Sequence, residues 1–229
     1  MTDVIVVCEG QTEEDFVRRV LHPGLSPRNV FVQPRLIKTS RHARGGALNP
    51  QRVLHYLRNT LRERRDTYVT TFFDLYGLPA NFPGQPGTAS QGDPLARATE
   101  IEAGFHEAVV QHTGCRPERF LPHVQPYEFE SLLFSDPVAF AAAEPEWQAF
   151  ARELAAARRT AISPEHINDG PDTHPSARLR RLARPRYQKV THGTVISARI
   201  GIHRMRAECR HFDQWLERLE HLSPLPPEG

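Results

Sequence analysis

Two carboxylates stand where a run of strand-forming residues gives way to a turn. Glu9 follows Val4-Ile5-Val6-Val7-Cys8, and Asp74 follows Tyr68-Val69-Thr70-Thr71-Phe72-Phe73. A third acid, Glu128 or Glu130, lies in Tyr127-Glu128-Phe129-Glu130, just after the strand-like run Phe120-Leu121-Pro122-His123-Val124. Taken alone, Glu9 reads equally well as a solvated turn residue. Two strand-ending acids in one α/β chain suggest a shared site at one sheet edge. Carboxylates that converge from separate strands hold hard cations such as Mg²⁺ or Mn²⁺, which take oxygen ligands and keep some waters. Such an ion polarises a phosphoryl oxygen and lowers the pKa of an attacking water. Glu128 and Glu130 point the same way in an extended segment but to nearly opposite faces of a helix. Residues 127–134 read as helical, so one of the two is expected to face the site and the other to form a structural salt bridge.

The cationic counterpart lies downstream. Between Asp172 and Glu208 there is no acid, yet Arg178, Arg180, Arg181, Arg184, Arg186, Lys189, Arg199, Arg204 and Arg206 fall there. Such a window attracts phosphates, which makes nucleic acid the expected partner, although basic stretches in helical segments are also ordinary surface. Of the 29 lysines and arginines only Lys38 and Lys189 are lysine. Keeping an ammonium beside Tyr187, His192 and Gly193 suggests that a compact charge is wanted there. Lys189 and His192 therefore join the catalytic candidates. The remaining histidines show no zinc spacing and read as surface or packing residues.

The elements that must position these residues follow from periodicity. Val4 to Cys8 does not alternate, the pattern of a strand buried on both faces. Gly10 is expected to take positive φ and Thr12 to cap the next helix with Asp15 as its capping-box partner. Glu13 and Glu14 suit the dipole of that first turn. Phe16, Val17, Val20 and Leu21 give the helix an apolar face, and His22 to Pro27 reads as loop. Residues 30–37 form a second strand, in which Pro34 implies an edge or a bulge. A Gly-containing loop bearing Arg41, His42 and Arg44 leads to a helix capped by Asn49, and Asp93-Pro94 starts another after a long loop at 79–92. From Asp136 the strand signal fades. Helices are expected near 137–144, 146–159, 176–182, 194–207 and 209–221, with a polar connector at Asn168-Asp169-Gly170.

A chain of 229 residues, 39% hydrophobic, can bury a sizeable core and has no apolar run of membrane-spanning length. Cys8, Cys115 and Cys209 are odd in number and far apart, which predicts a reduced, cytoplasmic protein. No basic region or cleavage site precedes the first strand, so no export signal is expected. Net charge is only +2, so affinity for nucleic acid depends on where the charge lies.

The run Cys8-Glu9-Gly10-Gln11-Thr12-Glu13, with Phe73-Asp74 closing another strand, resembles a Toprim-like (topoisomerase–primase) core. Phe73-Asp74-Leu75-Tyr76-Gly77-Leu78-Pro79, Tyr127-Glu128-Phe129-Glu130, Ile167-Asn168-Asp169-Gly170-Pro171 and Tyr187-Gln188-Lys189-Val190-Thr191-His192-Gly193 resemble domain-of-unknown-function family 4276. The resemblance implies an α/β, Rossmann-like, mostly parallel sheet flanked by helices over 1–135, with a helical C-terminal portion over 136–229. It also implies metal-dependent phosphodiester hydrolysis, and a place in prokaryotic defence or mobile-element systems beside a co-encoded ATPase. Glu9 would be general base or metal ligand, Asp74 a metal ligand, and Glu128 or Glu130 would complete the site. Lys189 would neutralise the scissile phosphate. One departure matters: where Toprim domains carry a second aspartate two residues after the first, this chain has Tyr76. The departure favours the rival expectation, a catalytically weak or inactive module that binds nucleic acid or a partner ATPase.

Overall fold

The unbroken apolar run of β1 (Thr2–Cys8) demands cover on both faces, and β1 lies inside a parallel sheet. It pairs with β2 (Val30–Leu36) on one side and with β3 (Tyr68–Asp74) on the other. Beyond β3 lie two short pieces, β4 (Phe120–Leu121) and β5 (Val124–Gln125), both parallel to β3. The expected fourth strand is thus split at Pro122-His123. There Thr71 bridges the gap, its hydroxyl donating to the His123 carbonyl and accepting the His123 N–H, each at 3.0 Å. Pro34 sits on edge strand β2, where a missing N–H breaks no inner ladder.

This computed structural model describes residues 1–37, 48–85, 92–167, 174–183 and 186–226. Lys38, the loop residues Arg41, His42 and Arg44, the middle of the 79–92 loop, Asn168-Asp169-Gly170-Pro171 and Arg184-Pro185 lie outside the described residues.

Alternate residues of β1 feed two cores. Ile5 and Val7, with Val69 and Phe73, pack under α3 (Pro50–Glu63) and α4 (Pro94–Thr113). Val4, Val6 and Cys8 face the helix that follows β1. That helix runs from α1 (Gln11–Phe16) through a π-helical turn at Val17–Leu21 into α2 (His22–Leu25). The stretch expected as loop is therefore mostly helical. Pro23 lies inside this continuous helix, two residues past the π-helical turn, and Asn29 closes the unit at φ 61°.

After Asp136 the described residues hold only helices: α5 (Pro137–Ala141), α6 (Ala151–Arg159), α7 (Pro175–Leu182), α8 (Lys189–Ile200), α9 (Ile202–Glu208) and α10 (Arg210–Glu220), with short 3₁₀ turns between some of them. They join the β1 core through Tyr187, Ile196, Phe212, Trp215 and Leu219. The Trp215 indole donates to the Thr70 hydroxyl at 2.9 Å, tying α10 to the sheet. None of the helices among the described residues is long and apolar enough to cross a membrane.

Candidate active site

The crossover from β1 leaves toward β2 and that from β3 toward β4, on opposite faces of the sheet. A parallel sheet opens a crevice between the carboxyl ends of two such strands. The register Cys8↔Phe72 puts Glu9 beside the end of β3. A Glu9 carboxylate oxygen accepts the backbone N–H of Asp74, and its second oxygen lies against Gly77, where any Cβ would stand 2.8 Å away. Asp74 Oδ1 accepts the Phe129 N–H at 2.8 Å, and its Oδ2 meets Lys189 Nζ at 3.1 Å.

The start of α1 differs from expectation. Gly10, not Thr12, is the N-cap, and it is extended (φ −138°, ψ 170°) with no side-chain cap. Glycine is needed here for space rather than torsion. The Glu13 side chain folds back over it, so an added Cβ would be 2.7 Å from Glu13 Oε2. Glu13 is thereby buried, and its Oε1 lies 3.1 Å from Lys189 Nζ. In the sequence Glu13 reads only as a helix-dipole residue. Its signal was its position, four residues after Glu9 and three after the glycine that ends the turn.

The segment expected as helix from 127 instead starts with Tyr127 at φ 59° and an extended Glu128, then turns 3₁₀ over Phe129–Ser135. Glu130 is fully buried. Its Oε2 lies 3.3 Å from Lys189 Nζ, and its Oε1 accepts the Tyr187 hydroxyl at 3.4 Å. Glu128 is committed elsewhere. Its two oxygens accept the Ser176 N–H (2.9 Å) and hydroxyl (3.1 Å) at the start of α7, and His174 Nδ1 is 3.1 Å away. His192 is also engaged outside the cluster. Its Nδ1 accepts the Gln188 N–H at 2.9 Å, its Nε2 faces Glu144, and its ring meets Trp147 edge-on. Tyr76 is exposed at the rim, 5.6 Å from the His174 ring and 6.1 Å from Tyr127.

Four carboxylates, from Glu9, Glu13, Asp74 and Glu130, thus gather around one lysine. Burial pushes Glu9 well above the usual carboxylate range, with Asp74 and Glu13 adding to it. Burial likewise raises Asp74 to about 6 and Glu130 to about 7, against the pull of Lys189. Burial alone would lower Lys189, but Asp74, Glu130 and Glu13 hold it well above its ordinary value. Glu13 Oε1 and Glu130 Oε2 are buried, and their polar neighbour is Lys189 Nζ at 3.1 and 3.3 Å, an ion-pair contact outside ordinary hydrogen-bond geometry. Hard oxygens with unused lone pairs suit a hard divalent cation.

Stability should follow these carboxyls. Asp74 and Glu130 hold protons in the fold at pH values where an unfolded carboxyl, with a pKa of about 4, has lost them. Their contribution is complete below about pH 4 and is lost as pH rises through 6 and 7. The metal-free protein is expected to melt at a lower temperature at about pH 8 than at about pH 5, and Mg²⁺ to restore more at the higher pH. Thermal melts of wild type and Glu130→Gln check this, because the variant should show the shallower pH dependence.

Much of the basic window is used internally. Arg199 donates to the Ala142 carbonyl and Arg204 to that of Ser135, while Arg206 pairs with Asp213 and Glu220. Arg181 and Arg186 are exposed. Among the described residues one group brings its ligand atoms all within 4.8 Å of one another, as a shared metal ion needs: a buried trio of Glu102, His123 and His211; the carboxylates around Lys189 do not form such a group.

A family model described as Domain of unknown function (DUF4276) matches residues 8–220. Neither the curated proteins nor the solved structures contain a match to the chain.

Proposed function

The chain belongs to the DUF4276 family, and we propose that it is a Mg²⁺- or Mn²⁺-dependent nuclease of Toprim-like type on a Rossmann-like sheet. One observation carries this reading: Glu9, Glu13, Asp74 and Glu130, from separate segments, converge at the sheet's switch point around a single lysine. The acid missing at Tyr76 is replaced in number by Glu13 and Glu130. Asp74, Glu13 and Glu130 would hold the cation, which when bound supplies Lewis-acid polarisation of a phosphoryl oxygen and a more acidic water. Glu9, its carboxyl raised in pKa, would take the proton of the attacking water. Lys189 would neutralise charge developing on the phosphate. Tyr76, exposed at the rim, offers a ring on which a base can stack.

A second reading is favoured by the position of Lys189. Its ammonium already neutralises part of the cluster, as it would in a module that binds nucleic acid or a co-encoded cytoplasmic ATPase without turnover. Incubating the chain with DNA and RNA in Mg²⁺ or Mn²⁺, alone and with such an ATPase, separates the two. Cleavage abolished by a chelator supports the nuclease, and none under any condition leaves the binding module.

Binding should weaken steeply with salt, because each neutralised phosphate releases counterions. Replacing Arg181 and Arg186 together with alanine should flatten the plot of log Kobs against log salt by about two units. An unchanged slope would return this stretch to ordinary surface.

A further inference from the structure

The trio Glu102, His123 and His211 is assembled from three separate elements. Glu102 projects from α4, His123 stands in the break between β4 and β5, and His211 lies in the first turn of α10. All three are at least nine-tenths buried. Glu102 and His211 floor a cleft of about 490 Å³ that is also lined by Thr99, Gln214, Glu217, Arg218 and His221.

The hydrogen-bond pattern around His123 is unbalanced. The Gln125 amide nitrogen donates to the Ser131 hydroxyl at 3.1 Å, which turns the Gln125 oxygen toward His123 Nε2 at 3.3 Å. That arrangement favours the tautomer with the imidazole proton on Nε2 and a lone pair on Nδ1. Yet Nδ1 is buried without a hydrogen bond and looks at Glu102 Oε1, another acceptor, at 3.4 Å. Two acceptors facing each other in a buried place suit a shared cation.

The remaining geometry fits a metal. His211 Nε2 is 2.8 Å from the same Glu102 oxygen. Ligands each about 2.0–2.1 Å from one Zn²⁺, at angles near 90–110°, stand roughly 2.8–3.4 Å apart. Further bonds hold the ligands in place. The Val124 N–H donates to Glu102 Oε1 at 2.8 Å, and Arg218 lies 3.4 Å from Oε2. Glu165 accepts the N–H groups of His211 and Phe212, fixing the start of α10, and the His123 ring stacks on Trp215 at 4.3 Å. Two imidazoles and one carboxylate suit Zn²⁺ and its transition-metal neighbours, not Mg²⁺.

We propose that Glu102, His123 and His211 form a second metal site, selective for Zn²⁺-type ions, whose open position faces the cleft between α4 and α10. The site is independent of the carboxylates around Lys189, and the proposal does not need the nuclease reading. The test uses the full chain, stripped by a chelator and titrated with Zn²⁺, Co²⁺ and Mg²⁺. One Zn²⁺ should bind per chain at submicromolar Kd, in competition with Co²⁺ whose visible bands report low-symmetry nitrogen and oxygen coordination. His211→Asn and Glu102→Gln should each weaken Zn²⁺ by about 100-fold or more. Asp74→Asn should leave it unchanged. Circular dichroism identifies a variant that fails to fold, and the other variant then decides. No Zn²⁺ binding tighter than micromolar by wild type overturns the site, as does equal binding by both trio variants or loss on Asp74→Asn.

Discussion

Asp74→Asn is expected to lower metal-dependent cleavage by at least about 100-fold while leaving the fold intact. The loss corresponds to roughly 2.7 kcal/mol in the barrier. The asparagine oxygen can still accept the Phe129 N–H that Asp74 Oδ1 accepts at 2.8 Å, so the turn into the 3₁₀ segment survives. What disappears is the charge on Oδ2, which faces Lys189 and lies among Glu9, Glu13 and Glu130. A hard cation is held by charged oxygens, and an amide oxygen is a poor substitute. In metal-free buffer the variant should melt within a few degrees of wild type, because it loses both repulsion from its carboxylate neighbours and attraction to Lys189. The stabilisation expected of Mg²⁺ in the wild type should be absent from the variant. Cleavage rates and melts with and without Mg²⁺ check the two halves together. A folded variant that keeps more than a tenth of the activity would remove Asp74 from the chemistry.

How much of this site a reader could take from the sequence depends on how local its causes are. Glu9 and Asp74 were visible because each ends a continuous apolar run, and a parallel sheet aligns such ends. Glu13 was hidden by an ordinary helix-start pattern. Only the close approach of its carboxylate to Gly10 turns it inward, and that depends on Gly10 being the cap instead of Thr12. The choice between Glu128 and Glu130 rested on a helix from residue 127. The left-handed Tyr127 and extended Glu128 break that helix and free Glu128 to cap α7, a partner 48 residues away. The Glu102–His123–His211 trio has no sequence spacing at all, because three elements bring it together only when α4 and α10 pack beside the split strand. The Arg window looked uniform in sequence, whereas in the fold Arg204 and Arg206 are spent on partners in their own vicinity.

Lys189 is the residue on which the cluster's balance turns, and two substitutions separate its roles. Its ammonium contacts Glu13 at 3.1 Å, Asp74 at 3.1 Å and Glu130 at 3.3 Å. Lys189→Met leaves those three carboxylates facing one another with no cation. Removing one partner of a fully buried pair costs about 3–5 kcal/mol. Lys189 is 38% exposed, so screening reduces the expected loss to roughly 2–3 kcal/mol near neutral pH. The deficit should shrink as pH falls through 7 and 6, when Glu130 and Asp74 take up protons, and again when Mg²⁺ is added. Lys189→Arg restores the charge and most of the stability. A planar guanidinium is nevertheless too wide to stand at one point between three carboxylates, on a helix held so close that a Cβ at Gly193 would stand 3.0 Å from Thr12 and 3.2 Å from Phe129 and Tyr187. Turnover is therefore expected to fall about tenfold or more, ~1.4 kcal/mol in the barrier, with affinity for uncut nucleic acid nearly unchanged. Melts across pH for the methionine variant, and single-turnover rates beside binding curves for the arginine variant, decide both parts. Equal turnover with arginine would make Lys189 a counter-charge alone, and a pH-independent deficit in the methionine variant would deny it even that.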